Sequence, residues 1–151
     1  MRSKLLLIGA TLFAVGVAVG GWTFSKTIPR TFLMTRDCGD TCLRRNEVYA
    51  VITSIGLQRF PGLVPGVVME SDTCLSIRHP KPDMRVHYVL FPKHDTKNIA
   101  TLTEADAPYV LGCFAMIRAL VERDGLKAWK VSTNGPNKQE IAYLHFHLLA
   151  P

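Results

Sequence analysis

The sequence has few acidic residues, and its aromatic side chains are not interleaved with basic ones. Asp and Glu together number 12 against 18 Lys and Arg, which gives a formal net charge of +6 over 151 residues. This excess of positive charge favours anionic partners, such as phosphorylated small molecules and acidic lipid head groups. A surface that stacks nucleic-acid bases needs aromatic residues among basic ones, so we expect no nucleic-acid partner.

Internal repeats are also missing, and the composition is too apolar for a disordered chain. Apolar residues make up 48% of the sequence, an ordinary share for a globular protein. A length of 151 residues suits one compact domain with an appendage.

No charged residue occurs between Leu5 and Trp22. This run has roughly the length of a membrane-spanning helix, and Trp22 is typical of an interfacial anchor. Residues 1–22 are therefore predicted to be a membrane anchor or a signal sequence, and a cleaved signal peptide stays open as the alternative. Arg2 and Lys4 precede the run, which favours a cytoplasmic N-terminus. We expect a single pass of the cytoplasmic membrane through residues 5–22, with the domain outside the cytoplasm, in the periplasm of a Gram-negative host.

The four cysteines fall into two groups. Cys38 and Cys42 lie in a Gly- and Asp-containing stretch. In an exported chain they are candidates for a disulfide, with each other or with another cysteine, and in a cytosolic chain they would resemble half a zinc site. Cys74 and Cys113 lie in apolar contexts and are expected to be simple buried residues.

The hydrophobic pattern predicts a linker over residues 23–40 and one domain over residues 41–151. Within the domain it predicts a helix ending near residue 58 and a longer helix over residues 107–124. Strands are predicted at residues 67–70, 74–77, 86–91 and 128–132, and the run at 86–91 is typical of a strand that is buried on both faces. The predicted fold class is α+β, with a mostly antiparallel sheet and a long helix packed on one face.

Residues 139–149 alternate strictly between two sets of side chains. Ile141, Tyr143, His145 and His147 would share one face of a strand whose other face is apolar. Same-face neighbours on a strand are about 6.6 Å apart, so both imidazoles could reach one phosphate-sized group. The alternative is that both histidines are half-buried strand residues without a catalytic role.

Residues 143–149 read Tyr-Leu-His-Phe-His-Leu-Leu and follow Gln139 and Glu140. This stretch resembles the His-φ-His-φ-His-φ-φ strand of the histidine-triad (HIT) superfamily, where φ is apolar. Blocks at 70–75, 87–93 and 103–106 also match in order, and Asn134 falls where the family keeps an Asn, so the resemblance covers residues 65–149. It implies a HIT-like fold. Two positions depart from the pattern: Tyr143 stands in the first triad position, and Arg78-His79 replaces an acidic residue that many members use for the nucleotide ribose.

The resemblance implies a nucleotide hydrolase or nucleotidyl transferase that attacks a phosphoanhydride or phosphoramidate. His145 corresponds to the nucleophile, His147 to a donor toward a phosphate oxygen, and Gln139 to a contact of the bridging or leaving oxygen. Tyr143 is expected to orient a ring through its hydroxyl. The substrate-binding residues that the resemblance implies are Asn134, Tyr143, His87 and His79, with a satisfied core imidazole as the alternative role for His87.

The resemblance leaves several classes of function open. An anchor followed by a HIT-like domain is also similar to the CDP-diacylglycerol pyrophosphatase group, which makes a lipid nucleotide the alternative to a soluble one. An inactive HIT-like domain for nucleotide sensing or protein contact is a further alternative. Family members are usually homodimers, and we carry that over as an expectation. Tyr143 removes one ligand that a zinc site would need, so no metal and no cofactor are expected. Four basic residues are expected to draw in an anionic substrate or to form a solvated face: Lys81, Arg85, Lys93 and Lys97.

Overall fold

The computed structural model describes residues 2–28 and 45–151. Over those ranges the helices are α1 (Arg2–Phe24), α2 (Arg45–Arg59) and α3 (Ala107–Arg123). The strands are β1 (Val67–Glu70), β2 (Cys74–Arg78), β3 (Val86–Pro92), β4 (Lys130–Ser132) and β5 (Phe146–Ala150). Most of the predicted linker, together with Cys38 and Cys42, lies outside the described residues.

The strands form one antiparallel sheet in the order β1-β2-β3-β5-β4. All seven residues of the central strand β3 are buried. A central strand has a neighbour on each side and side chains on both faces, so an apolar run such as Val86–Phe91 suits that place. The predicted antiparallel sheet and the predicted dense strand are confirmed.

Helices cover the two faces of the sheet unequally. Val86, Tyr88 and Leu90 of β3 join the core beneath α3, which contributes Met116, Ile117 and Leu120. On the opposite face, Val89 and Phe91 pack with Ala50 and Leu57 of α2. The long helix on one face is confirmed, and α2 shields only part of the second face. The rest of that face, around His87, borders a cavity.

Helix α3 approaches the sheet closely at Gly112, where an added Cβ would overlap the side chain of Thr73. The close approach brings Cys113 against β2, and Cys113 forms a disulfide with Cys74 across a Cα–Cα distance of 5.1 Å. The expectation of simple buried cysteines is therefore wrong. Both residues are fully buried, but they are covalently joined.

Helix α1 is long and apolar enough to cross a membrane, since an 18-residue window within Lys4–Phe24 has a mean hydropathy of 2.1 and none of that window is buried. It extends two residues beyond the predicted segment. The chain after it lies against the domain, since Arg59 Nη2 donates to Ser25 Oγ at 2.6 Å and the Ile28 N–H donates to Asp95 Oδ2 at 3.1 Å.

The strand predicted over residues 139–149 is wrong in its first half, because β5 begins only at Phe146. Gln139, Tyr143 and His145 thus precede the strand. A ladder needs the backbone N–H groups of its residues. Those of residues 142, 143 and 144 instead donate to the carbonyl oxygens of Asn46, Ile141 and Thr96 respectively.

Candidate active site

A cavity of about 570 Å³ occupies the part of the sheet face that α2 leaves open. Four of the chain's five histidines line it: His79, His87, His145 and His147. They come from the loop after β2, from β3, and from the start of β5 and the residue before it. The sheet order explains this meeting, because β3 lies between β2 and β5.

His145 has one ring nitrogen occupied and the other available. Its Nδ1 lies 2.7 Å from the main-chain oxygen of Tyr143. A carbonyl can only accept a hydrogen bond, so Nδ1 carries the proton and Nε2 holds the lone pair. His145 is buried and lines the cavity, so Nε2 is the ring nitrogen that remains available to a ligand.

His147 is connected to the backbone through His87. The N–H of Asp83 donates to His87 Nδ1 at 3.3 Å, so His87 carries its proton on Nε2. That group then donates to His147 Nδ1 at 2.9 Å, which leaves the His147 proton on Nε2. His147 Nε2 is buried and has no hydrogen-bond partner among the described residues. A buried donor of this kind is ready to bind an acceptor on a ligand.

The remaining ring contacts hold the four imidazoles as one cluster. His79 stacks on His87 with ring centroids 4.0 Å apart and planes 2° from parallel. His145 and His147 meet edge to face, with centroids 5.0 Å apart. His79 therefore supports the ring that orients His147.

Burial lowers the pKa of His87, His145 and His147 and so favours their neutral forms. It lowers the pKa of His145, and the bond to the Tyr143 carbonyl offsets part of that shift. Burial and the neighbouring histidines lower the pKa of His147 to about 4. The pKa of His87 is also lowered, by burial and by His79. A neutral ring retains the lone pair that nucleophilic attack needs.

A family model described as "Scavenger mRNA decapping enzyme C-term binding" matches residues 64–151. The chain belongs to this family. It is also 33% identical over 89 residues to an uncharacterized HIT-like protein of Synechococcus elongatus, across 55% of this chain and 75% of that protein. These matches place it in the HIT superfamily.

Solved structures show the same fold. A HIT family hydrolase from Clostridium thermocellum has a TM-score of 0.58 at 22% identity, covering 72% of this chain and 93% of the other. A HIT family hydrolase from Legionella pneumophila has a TM-score of 0.57 at 23% identity, covering 62% of this chain and 88% of the other. The HIT-like fold implied by the sequence is confirmed.

Two predicted site residues of this HIT protein do not line the cavity. Tyr143 is fully buried, and its hydroxyl donates to the carbonyl oxygens of Pro92 and His94, at 2.6 and 3.0 Å. Both of these bonds run to main-chain oxygens at the end of β3 and in the loop after it, and the orientation of a ring by Tyr143 stays a prediction. Gln139 is buried and donates through its amide to the Lys97 oxygen at 3.0 Å. This bond fixes the segment behind His145, and the contact of Gln139 with a leaving oxygen stays a prediction.

The charged rim of the cavity differs from the predicted basic cluster. Of the four basic residues, only Lys81 lines the cavity. Lys93 pairs with Glu70 at 2.5 Å, Lys97 pairs with Glu47 at 3.2 Å, and Arg85 donates to the Pro151 oxygen at 2.9 Å.

Asn134 lines the cavity beside several residues that the sequence reasoning missed, and its contact with substrate stays a prediction. Asn134 and Lys138 both lie in the turn before residue 139. The position of Asn134 relative to the histidines matched the family, so its neighbour Lys138 could have been predicted from the same spacing. The missed polar lining residues are Ser132, Lys138, Glu140 and Asp83. Within residues 2–28 and 45–151, no three His, Cys, Asp or Glu side chains are placed to hold a metal ion.

Proposed function

We propose that this HIT protein is a nucleotide phosphohydrolase or nucleotidyl transferase that works through a covalent intermediate on His145. The hydrogen bond from His145 Nδ1 to the Tyr143 carbonyl carries the proposal, because it directs an unprotonated Nε2 toward the cavity. Hydrolysis of a nucleotide also fits the family to which the chain belongs.

The proposed reaction has two steps, formation and hydrolysis or transfer of a bond between His145 and phosphorus. His145 Nε2 attacks phosphorus and an Nε2–P bond forms. The bond from phosphorus to the leaving oxygen or nitrogen breaks, and the leaving atom keeps the electron pair and takes up a proton from solvent. His147 Nε2–H donates a hydrogen bond to an oxygen of the phosphoryl group, which stabilises the developing charge. Water or another acceptor then attacks phosphorus, the Nε2–P bond breaks, and the acceptor's proton is released. His145 returns to its neutral form.

The surroundings of the domain support a membrane-anchored protein with its site outside the cytoplasm. α1 would supply the anchor. The disulfide between Cys74 and Cys113 favours an oxidising compartment, such as the periplasm of a Gram-negative host. The membrane anchor and the oxidising compartment are both parts of the proposal.

A lipid-linked nucleotide is the second candidate substrate. Its support is the apolar wall beside the histidines, formed by Ile77, Val89, Phe91, Ile141 and Leu149. An apolar wall of this kind suits an acyl or isoprenoid portion better than it suits a second charged nucleotide.

The direct test is turnover by the full chain in non-ionic detergent. The panel consists of adenosine phosphoramidate, dinucleoside polyphosphates, a cap dinucleotide and CDP-diacylglycerol, because these differ in leaving group and in apolar content. Release of a nucleoside monophosphate from at least one of them is the expected result. Binding without turnover across the panel would instead identify an inactive nucleotide-binding domain.

Activity on a soluble substrate is expected to stay constant between about pH 6.5 and 8 and to fall only at lower pH. Protonation of His145 removes the attacking lone pair, and burial lowers the pKa of this ring below its ordinary value. The acid limb of kcat/KM therefore lies below 6.5. A pH profile measures it, with circular dichroism at each pH as the control. Folding also loses stability below pH 6.5, because the unfolded chain binds protons that the buried rings do not. If kcat/KM of the folded protein already falls at or above pH 6.5, His145 is not the group that must be neutral for attack.

A further inference from the structure

The outward side of α2 and the turn after it expose four apolar side chains. Tyr49 is 51% exposed, Ile52 63%, Phe60 41% and Leu63 81%. Tyr49 and Ile52 are three residues apart on the helix, and Phe60 and Leu63 are three apart across a 3₁₀ turn at Pro61–Leu63, so each pair shares one side. We call these four residues the apolar rim.

The apolar rim is continuous with the end of α1. The rings of Phe60 and Trp22 lie 5.9 Å apart, edge to face. The guanidinium of Arg59 sits 4.5 Å above the Trp22 ring, and the same side chain donates to Ser25. Trp22 lies near the C-terminal end of the apolar span, where a membrane helix meets the water interface. Phe60 is therefore held at the level of that interface.

We propose that the apolar rim rests in the interface of the bilayer that α1 spans, so that the lipid surface is its partner. The inference depends on the proposed membrane anchoring and not on catalysis. Basic residues flank the rim at Lys26, Arg45 and Arg59, and such charges attract anionic head groups while the apolar side chains enter the acyl boundary.

This contact orients the catalytic cavity. Val64, the residue after Leu63, packs in the same apolar cluster as Ile77, which lines the cavity. The rim is therefore joined to the apolar wall of the site through one buried cluster, on the face of the sheet that α2 partly covers. With the rim on the bilayer, the cavity lies near the lipid surface, where a lipid-linked nucleotide would arrive.

The opposite side of the domain offers a matched control. Leu111 on α3 is 66% exposed, close to the 63% of Ile52, but it lies on the helix that covers the other face of the sheet. A bilayer bound to the rim does not reach Leu111. A second copy of the chain is the competing occupant of the rim.

The test measures the fluorescence of single tryptophans in the full chain. The protein is reconstituted in vesicles of phosphatidylcholine and phosphatidylglycerol whose brominated acyl chains quench tryptophan. Ile52→Trp, Leu63→Trp and Leu111→Trp are each made in a Trp22→Phe, Trp129→Phe background. The two rim variants are expected to be quenched at least about twofold more strongly than Leu111→Trp. A fourth protein, Trp129→Phe alone, keeps Trp22 and reports insertion of α1.

Equal quenching at Leu63→Trp and Leu111→Trp overturns the inference. A blue-shifted, unquenched indole at Ile52→Trp together with concentration-dependent dimerisation also overturns it, in favour of a second copy. Quenching of Trp22 fluorescence distinguishes a wrong rim contact from a wrong membrane anchor. If Trp22 is quenched and the rim is not, only the rim contact is wrong, whereas an unquenched Trp22 shows that the anchoring proposal fails as well. Turnover on the soluble panel is measured independently of either outcome.

Discussion

Replacing His145 with asparagine is expected to lower kcat/KM for the best nucleotide substrate by at least about a thousandfold. The loss follows because an amide provides no basic ring nitrogen to form a bond with phosphorus. The asparagine NH₂ group can still donate to the Tyr143 carbonyl, so the fold around the site is preserved. Initial rates measure the loss. Rapid alkaline quenching and mass spectrometry test for a nucleotidyl adduct on the His145 peptide of the unsubstituted protein.

His94→Asn is the matched control for this experiment. The His94 side chain is 40% exposed, its Nδ1 lies 2.8 Å from Asp106 Oδ1, and it does not line the catalytic cavity. Its replacement is expected to change kcat/KM by less than about threefold, as for most substitutions that leave the reacting groups untouched. Full activity of His145→Asn, or an adduct on any other residue, would show that the nucleophile has been misassigned.

The sequence predicted the parts of the fold that depend on local patterns. The apolar run at Val86–Phe91 became the central strand, and the helical stripe after Ala107 became α3. It failed where distant backbone groups compete for the same hydrogen bonds. The alternation over residues 139–145 is that of a strand, yet acceptors on α2 and on the loop after β3 take N–H groups of this segment. No local pattern reveals acceptors so far away in sequence.

Tyr143 shows how a departure from a family pattern can matter less than the sequence indicates. A tyrosine stands in the first triad position in place of a histidine, and the sequence predicts that its hydroxyl orients a ring. In the structure the main-chain carbonyl of Tyr143 orients His145, and a change of side chain leaves that carbonyl in place. The hydroxyl secures the strand exit by donating to Pro92 and His94. The departure is therefore compatible with a working nucleophile.

The pairing of Cys74 with Cys113 was also invisible in the sequence. Their apolar surroundings are equally typical of buried thiols and of a buried disulfide. The pair forms because Gly112 lets α3 come close to β2, and that packing is a property of the assembled sheet and helix. The disulfide joins the helix on one face to the strand beside the sheet centre, which suggests that it stabilises the domain.

Replacing Cys74 and Cys113 together by alanine is expected to lower the free energy of unfolding by about 4 kcal/mol, the chain-entropy value for a crosslink between residues 39 apart. Urea unfolding of the full chain in non-ionic detergent, followed by circular dichroism, measures the change.

The control carries the same substitution at Cys38 and Cys42, which leaves only the buried pair. In that background a reductant is expected to destabilise the domain by a similar amount, and it is expected to have no effect once all four cysteines are replaced. If the Cys38→Ala, Cys42→Ala protein has the same free energy of unfolding with and without reductant, the disulfide does not contribute to stability. Sensitivity to reductant would, in turn, support the proposed placement of the domain in an oxidising compartment, because in a reducing one the domain would lose about 4 kcal/mol of a stability that is typically about 5–15 kcal/mol.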